Sequence, residues 1–191
     1  MKFLLSVVSI LFLSCHTVQK EFVVKGNIEP PYSFPHALEY STYTLKTEYT
    51  VGIASIIEHD ILTAYHVIHP GEEHMPDITI IGGSSEPGLF LCQEEHTQYD
   101  ICYFKTYRGY TVGVISCTDY PNKMELTSNE AALSGDSGTP VLCLAHRKVV
   151  GLLVELEPPI FMTSLDGRQH YGSTGFIVEI LTKNKIEELK K

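Results

Sequence analysis

A chain of 191 residues with 43% hydrophobic and 19% charged side chains has the length of one globular domain, which excludes a disordered polymer. Its formal net charge of −9 excludes the basic face that nucleic acid requires, so no nucleic-acid partner is expected. No stretch of the body approaches the roughly 20 apolar residues of a membrane-spanning helix.

The chain opens with Met1-Lys2, an apolar run from Phe3 to Leu13, and then Ser14-Cys15. A positive start, a short apolar stretch and a small residue at its end read as a signal peptide over residues 1–15. Leu11-Phe12-Leu13-Ser14-Cys15 resembles a bacterial lipobox, whose cysteine becomes the lipid-modified first residue, with Phe12 where leucine is usual. The expectation is lipidation of Cys15, attachment to the membrane by an N-terminal lipid anchor, and export to a bacterial cell envelope. An ordinary secreted or periplasmic protein is the alternative. Residues 16–39 contain Pro30, Pro31 and Pro35 and read as a tether, which leaves 40–191 as the folded domain.

Short β-type runs follow in quick succession. The predicted strands are Thr42–Lys46, Thr50–Ile57, Asp60–Thr63, Ile78–Ile81, Leu89–Gln93 and Asp100–Lys105. A second set comprises Thr111–Cys117, Met124–Thr127, Pro140–Leu144, Val149–Glu155 and Gly175–Val178. Turn residues separate them at short intervals, which predicts an all-β antiparallel barrel or sandwich rather than βαβ units. From Glu179 to Lys191 the pattern changes to an amphipathic helix, with Ile180, Leu181, Ile186 and Leu189 as its apolar stripe.

Chemistry concentrates at Gly135-Asp136-Ser137-Gly138-Thr139-Pro140. A serine hydroxyl becomes a nucleophile only when a base takes its proton and donors stabilise the oxyanion. The flanking glycines allow a tight turn that aims main-chain N–H groups at a reacting carbonyl. His66, at the mouth of a strand in Ile61-Leu62-Thr63-Ala64-Tyr65-His66, is placed to act as the base. Asp100 opens an apolar strand, where an unpaired carboxylate is costly to bury, and is the expected orienting acid. Asp77 is only 11 residues beyond His66 and flanked by loop residues, and Asp60 belongs to a hairpin turn, so both rank below Asp100.

With these three motifs in the order His, Asp, Ser, the chain resembles the trypsin/chymotrypsin-like serine proteases, most of all their compact bacterial branch, over roughly residues 40–191. The resemblance implies two antiparallel β-barrels with the site between them and a C-terminal helix. His66 and Asp100 would come from the first barrel and Ser137 from the second. It implies a serine endopeptidase acting on protein or peptide substrates through an acyl-enzyme, with an oxyanion hole at the N–H groups of Gly135 and Ser137 and no cofactor. The substrate pocket would be lined by Ala131, Ala132, Val154 and Thr174, with no aspartate to select basic residues. Asp136, which in many relatives pairs with a freed N-terminus, would need an internal partner. Only 37 residues separate Asp100 from Ser137, which predicts an abbreviated second barrel.

The other functional class is a pseudoprotease that uses the cleft as a surface-anchored binding module. Past Cys15 the cysteines are Cys92, Cys102, Cys117 and Cys143. Export would allow one or two disulfides among three full connectivities. No Cys-x-x-Cys occurs, and Glu72-Glu73-His74 and Glu94-Glu95-His96 read as solvated charge, so no metal is expected.

Overall fold

The computed structural model describes residues 33–72, 77–106, 109–117, 122–128, 135–156, 161–163, 169–171 and 175–191. Cys15, Ala131, Ala132 and Thr174 lie outside the described residues.

The first half begins with helix α1 (Ser33–Ser41), followed by β1 (Thr42–Lys46), β2 (Val51–Ile57) and β3 (Asp60–Ala64). A one-turn helix α2 (Tyr65–Ile68) and strand β4 (Ile78–Gly83) complete it. The strands form one antiparallel sheet in the order β1-β2-β3-β4. The second half holds β5 (Ile101–Thr106), β6 (Gly109–Cys117), β7 (Lys123–Ser128), β8 (Pro140–Cys143), β9 (Lys148–Leu156) and β12 (Gly175–Ile180). These close into a barrel in the order β12-β7-β6-β5-β8-β9. Two three-residue strands, β10 (Phe161–Thr163) and β11 (Gln169–Tyr171), pair with each other, and helix α3 (Lys183–Leu189) ends the chain.

The shortening expected of the second barrel therefore falls on the first half, which is an open sheet of four strands. The interval from Asp100 to Ser137 suffices because it carries no linker between halves. It holds β5, β6 and β7, with only residues 107 and 108 joining the first two. The connector lies upstream, where Leu89–Gln93 was expected to be a strand. Leu89 makes an isolated bridge to Ile57 of the first sheet, and Leu91 makes one to Val149 of the barrel. A segment passing from one sheet to the other cannot run along either, and Phe90 between the two bridges is exposed.

Nor does the tether extend to residue 39. Pro35 sits in the first turn of α1, where the missing N–H would have no intrahelical acceptor anyway. Leu38 of that helix is fully buried in the core, so the folded domain starts by Ser33. At the other end Glu179 and Ile180 continue β12, and the helix starts later, capped by Thr182 Oγ1, which accepts from Lys185 N at 3.2 Å. Glu179 is buried and ion-paired with Lys185.

Period-two alternation sorts the barrel's side chains into two cores. On β5, Cys102 and Phe104 point into the barrel, where Phe104 meets Phe176 edge-on at 5.1 Å, while Tyr103 points the other way. Tyr103, Leu142, Val149 and Leu152 join Leu62, Ala64, Val67 and Ile78 of the first half in a shared core, which Leu181 and Ile186 close from the C-terminal end. Cys92, Cys102 and Cys143 are buried free thiols. Among the described residues no helix is long and apolar enough to cross a membrane.

Candidate active site

His66 is delivered by the end of β3. The strand stops at Ala64, and α2 turns over once, closed by His69 N donating to Tyr65 O at 3.0 Å. Val67 is buried and anchors the turn, Thr50 Oγ1 donates to the Val67 carbonyl, and the His66 side chain is left exposed. On the adjoining surface Tyr65 stacks on His69 with ring centroids 4.3 Å apart and donates its hydroxyl to Glu72 Oε2 at 2.8 Å. That bond to a carboxylate raises the Tyr65 pKa above its ordinary value.

Ser137 lies on the loop entering β8. Thr139 N donates to Asp136 O at 3.1 Å, and both glycines occupy the left-handed region, Gly135 with φ +110° and Gly138 with φ +90°. Glycine is required at 138 for a second reason. A Cβ there would stand 2.0 Å from Ile53 O and 2.9 Å from Thr63 Oγ1. The loop is pinned from both sides: Ile53 N donates to Ser137 O at 2.8 Å, Ser55 Oγ to Gly138 O at 2.9 Å, and Gly138 N to Leu153 O at 2.7 Å. Asp136 is buried, 2% exposed.

The serine and histidine segments converge on Gly52 of β2. A Cβ at that position would meet Val67 Cγ2 at 2.5 Å and Ser137 O at 3.0 Å. The neighbour of His66 and the backbone of Ser137 thus share one glycine-sized contact between the halves. Among the described residues Ser137 Oγ makes no hydrogen bond. Catalytic hydrogen bonds are often long without substrate and tighten in the complex.

Asp100 is not brought to this place. It precedes β5 in the second half, and the pairing Cys102↔Cys143 sets it beyond the far end of β8. From Pro140, next to the serine loop, to Leu144, whose N–H donates to Ile101 O, the chain runs about 13 Å at strand rise. Asp100 Oδ2 instead accepts from Thr97 N at 2.9 Å and lies 3.6 Å from His96 Nδ1. Its β5 strand belongs to the barrel that carries the serine, not to the sheet that carries His66.

On that sheet the aspartate beside His66 is Asp77. β4 pairs with β3 from Ala64↔Ile78 onward, and Tyr65 N donates to Asp77 O at 2.9 Å. Its carboxylate is half-exposed and takes Lys123 Nζ of β7 at 2.8 Å on Oδ2. The signal was present in Asp77-Ile78-Thr79-Ile80-Ile81, an aspartate opening an apolar strand just as at Asp100. Short separation from His66 counted against it, although a close return is what antiparallel neighbours produce. Asp60 sits at the opposite end of β3, paired with Lys190 at 3.0 Å.

Of the expected pocket residues only Val154 is described. It is 5% exposed and packs in the core shared by the two halves, so its side chain does not face an open pocket. A separate cluster of cysteine and histidine side chains lies at the far end of β8.

No protein-family model matches the chain, and no curated protein matches it. Solved structures do. Kallikrein-related peptidase 10 is similar with a TM-score of 0.53 at 13% identity, over 85% of this chain and 98% of that chain. The chymotrypsin of Cellulomonas bogoriensis gives 0.48 at 12% identity over 78% and 93% of the two chains. The serine protease of a human pathogenic astrovirus gives 0.47 at 19% identity over 74% and 89%. Identities this low speak of fold alone, and the fold is that of the trypsin/chymotrypsin-like serine proteases.

Proposed function

We propose that the chain is a serine endopeptidase of the chymotrypsin type, with Ser137 as nucleophile and His66 as base. The observation that carries this reading is the convergence at Gly52, where the serine loop and the histidine turn meet across the seam between the halves. Ser137 Oγ would attack the peptide carbonyl while His66 takes its proton, and His66 would then protonate the leaving amine. Water would hydrolyse the acyl-enzyme by the reverse exchange. The left-handed Gly135 supports an oxyanion hole at the N–H groups of residues 135 and 137. We assign the orienting role to Asp77 rather than Asp100, on the β3–β4 register.

A serine-directed fluorophosphonate tests this. Wild type is expected to label, Ser137→Ala not at all, and His66→Ala at least about a hundredfold more slowly. Asp77→Asn should slow labelling by a similar order, while Asp100→Asn should leave it within about twofold. Absence of labelling in folded wild type would favour the pseudoprotease reading, for which the engagement of Asp77 by Lys123 is the supporting observation. On the sequence alone we also propose anchoring at Cys15; a Cys15→Ser variant should leave the membrane fraction.

A further inference from the structure

We propose that Cys92, His96, Cys143 and His146 form a structural zinc site that fastens the connector between the halves to the barrel. The two segments are already joined along their backbones. Cys92 N donates to Val149 O at 2.7 Å, and Val149 N to Phe90 O at 2.8 Å. The turn from β8 to β9, closed by Arg147 N on Cys143 O at 2.8 Å, carries His146 back over both thiols.

Two of the donor pairs, both through His146, stand at the spacing a tetrahedral zinc demands. Zn–S bonds of about 2.3 Å and Zn–N bonds of about 2.0–2.1 Å place sulfur and nitrogen ligands about 3.5 Å apart. His146 Nδ1 lies 3.5 Å from Cys143 Sγ and 3.6 Å from Cys92 Sγ. Donor atoms of His96, Cys143 and His146 fall within 4.8 Å of one another, and so do those of Cys92, Glu94 and His146, two triples that share His146.

His96 supplies a separate argument. Its side chain is 9% exposed, and both ring nitrogens are buried without a hydrogen bond. An orphaned buried polar atom is costly, and a metal ligand has no such deficit. Asp100 Oδ2 stands 3.6 Å from Nδ1, which leaves Nε2 for the metal and makes Asp100 the carboxylate that orients a ligating imidazole. That gives Asp100 a role at this end of β8.

Two thiolates and two imidazoles select zinc over magnesium or calcium, which take oxygen ligands. Binding releases both thiol protons to solvent, and two thiolates neutralise the dication. Glu94, which now accepts from Cys92 Sγ at 3.1 Å, is exposed and free to turn to solvent when that proton leaves. The sequence conceals the site because the pairs are mixed: Cys92 and His96 are separated by three residues, Cys143 and His146 by two. No Cys-x-x-Cys marks it.

The test is metal analysis of the purified full chain, with cobalt substitution as its optical counterpart. Wild type is expected to hold about one zinc per chain and, loaded with Co2+, to show thiolate charge-transfer and intense tetrahedral d–d bands. Cys143→Ser and His146→Ala should lower bound zinc at least about tenfold, whereas Cys102→Ser, a buried thiol outside the cluster, should retain it. His146→Cys should also retain it. Should the loss variants fail to fold, wild type decides: a chelator should lower its Tm and added zinc should restore it. Zinc-free wild type with no cobalt spectrum and a chelator-insensitive Tm would overturn the proposal, as would a Cys92–Cys143 disulfide in the unreduced protein.

Discussion

In the second half every barrel strand has two neighbours, because β12 pairs with both β7 and β9; in the first half β1 has a sheet partner on one side only. The open half makes up for this with material from elsewhere. Past the end of β1, the connector takes the free side of β2 through Leu89 N on Ile56 O and Gly88 N on Glu58 O. The serine loop takes Ile53, and α3 reaches the β2–β3 turn through Lys190 on Asp60. A closed barrel is complete in itself, whereas the open sheet is complete only when the serine loop is seated. Assembly of the candidate site and folding of the first half are therefore one event.

The largest expected effect comes from breaking that seam. Gly138→Ala would drive a Cβ into the Ile53 carbonyl at a backbone angle that L-residues avoid, so loss of the cooperative fold is expected by circular dichroism and urea titration. A variant destabilised by less than about 1 kcal/mol would show that the halves do not depend on this contact.

Next comes the barrel's own core. Phe104→Ala removes a fully buried ring and should cost about 3–5 kcal/mol. Because one core is shared, urea unfolding should remain a single transition by both near-ultraviolet and far-ultraviolet dichroism. Two separated transitions would mean that the open sheet melts independently.

The smallest effect is alkaline. Burial pushes the Tyr103 phenol well above its ordinary range and Tyr110 up to about 12, and Glu39 of α1 adds to the second through a 3.0 Å hydrogen bond. A raised pKa means that the folded state holds its proton more tightly than the unfolded chain. This stabilisation is complete below the ordinary tyrosine value of 10 and declines as pH rises toward 12. Tyr110→Phe should flatten that decline in pH-dependent urea midpoints, and an unchanged slope would remove Tyr110 from the contact between α1 and β6.

What was legible in the sequence follows the same division. Strands β1 to β9 and β12 announce themselves through alternation and turn residues, and all ten fall within a few residues of their expected bounds. The alternation of β5 and the tight returns on either side of it did not say which half it joins, because strand partners are set by packing rather than by local pattern. That single ambiguity placed Asp100 beside His66, moved the shortening to the wrong half, and hid the crossing role of residues 84–100. Ser137 and its glycines were readable because backbone geometry constrains residue type directly, as their positive φ angles show. α1 was missed because prolines suggest extended chain, although one of them sits where a helix tolerates it. β10 and β11 are only three residues each, too short for any period to register.

The contact at Gly52 and Gly138 sets a rule for recombination. Each of these positions leaves out a methyl group so that the other half can approach to backbone distance. An exchange of either half with that of a distant homologue would join surfaces fitted to different partners. Such hybrids should succeed only when residues 50–67 and 135–140 come from the same parent, however well each half folds in its own lineage. The seam thus behaves as a unit of inheritance smaller than the domain and drawn from both ends of it.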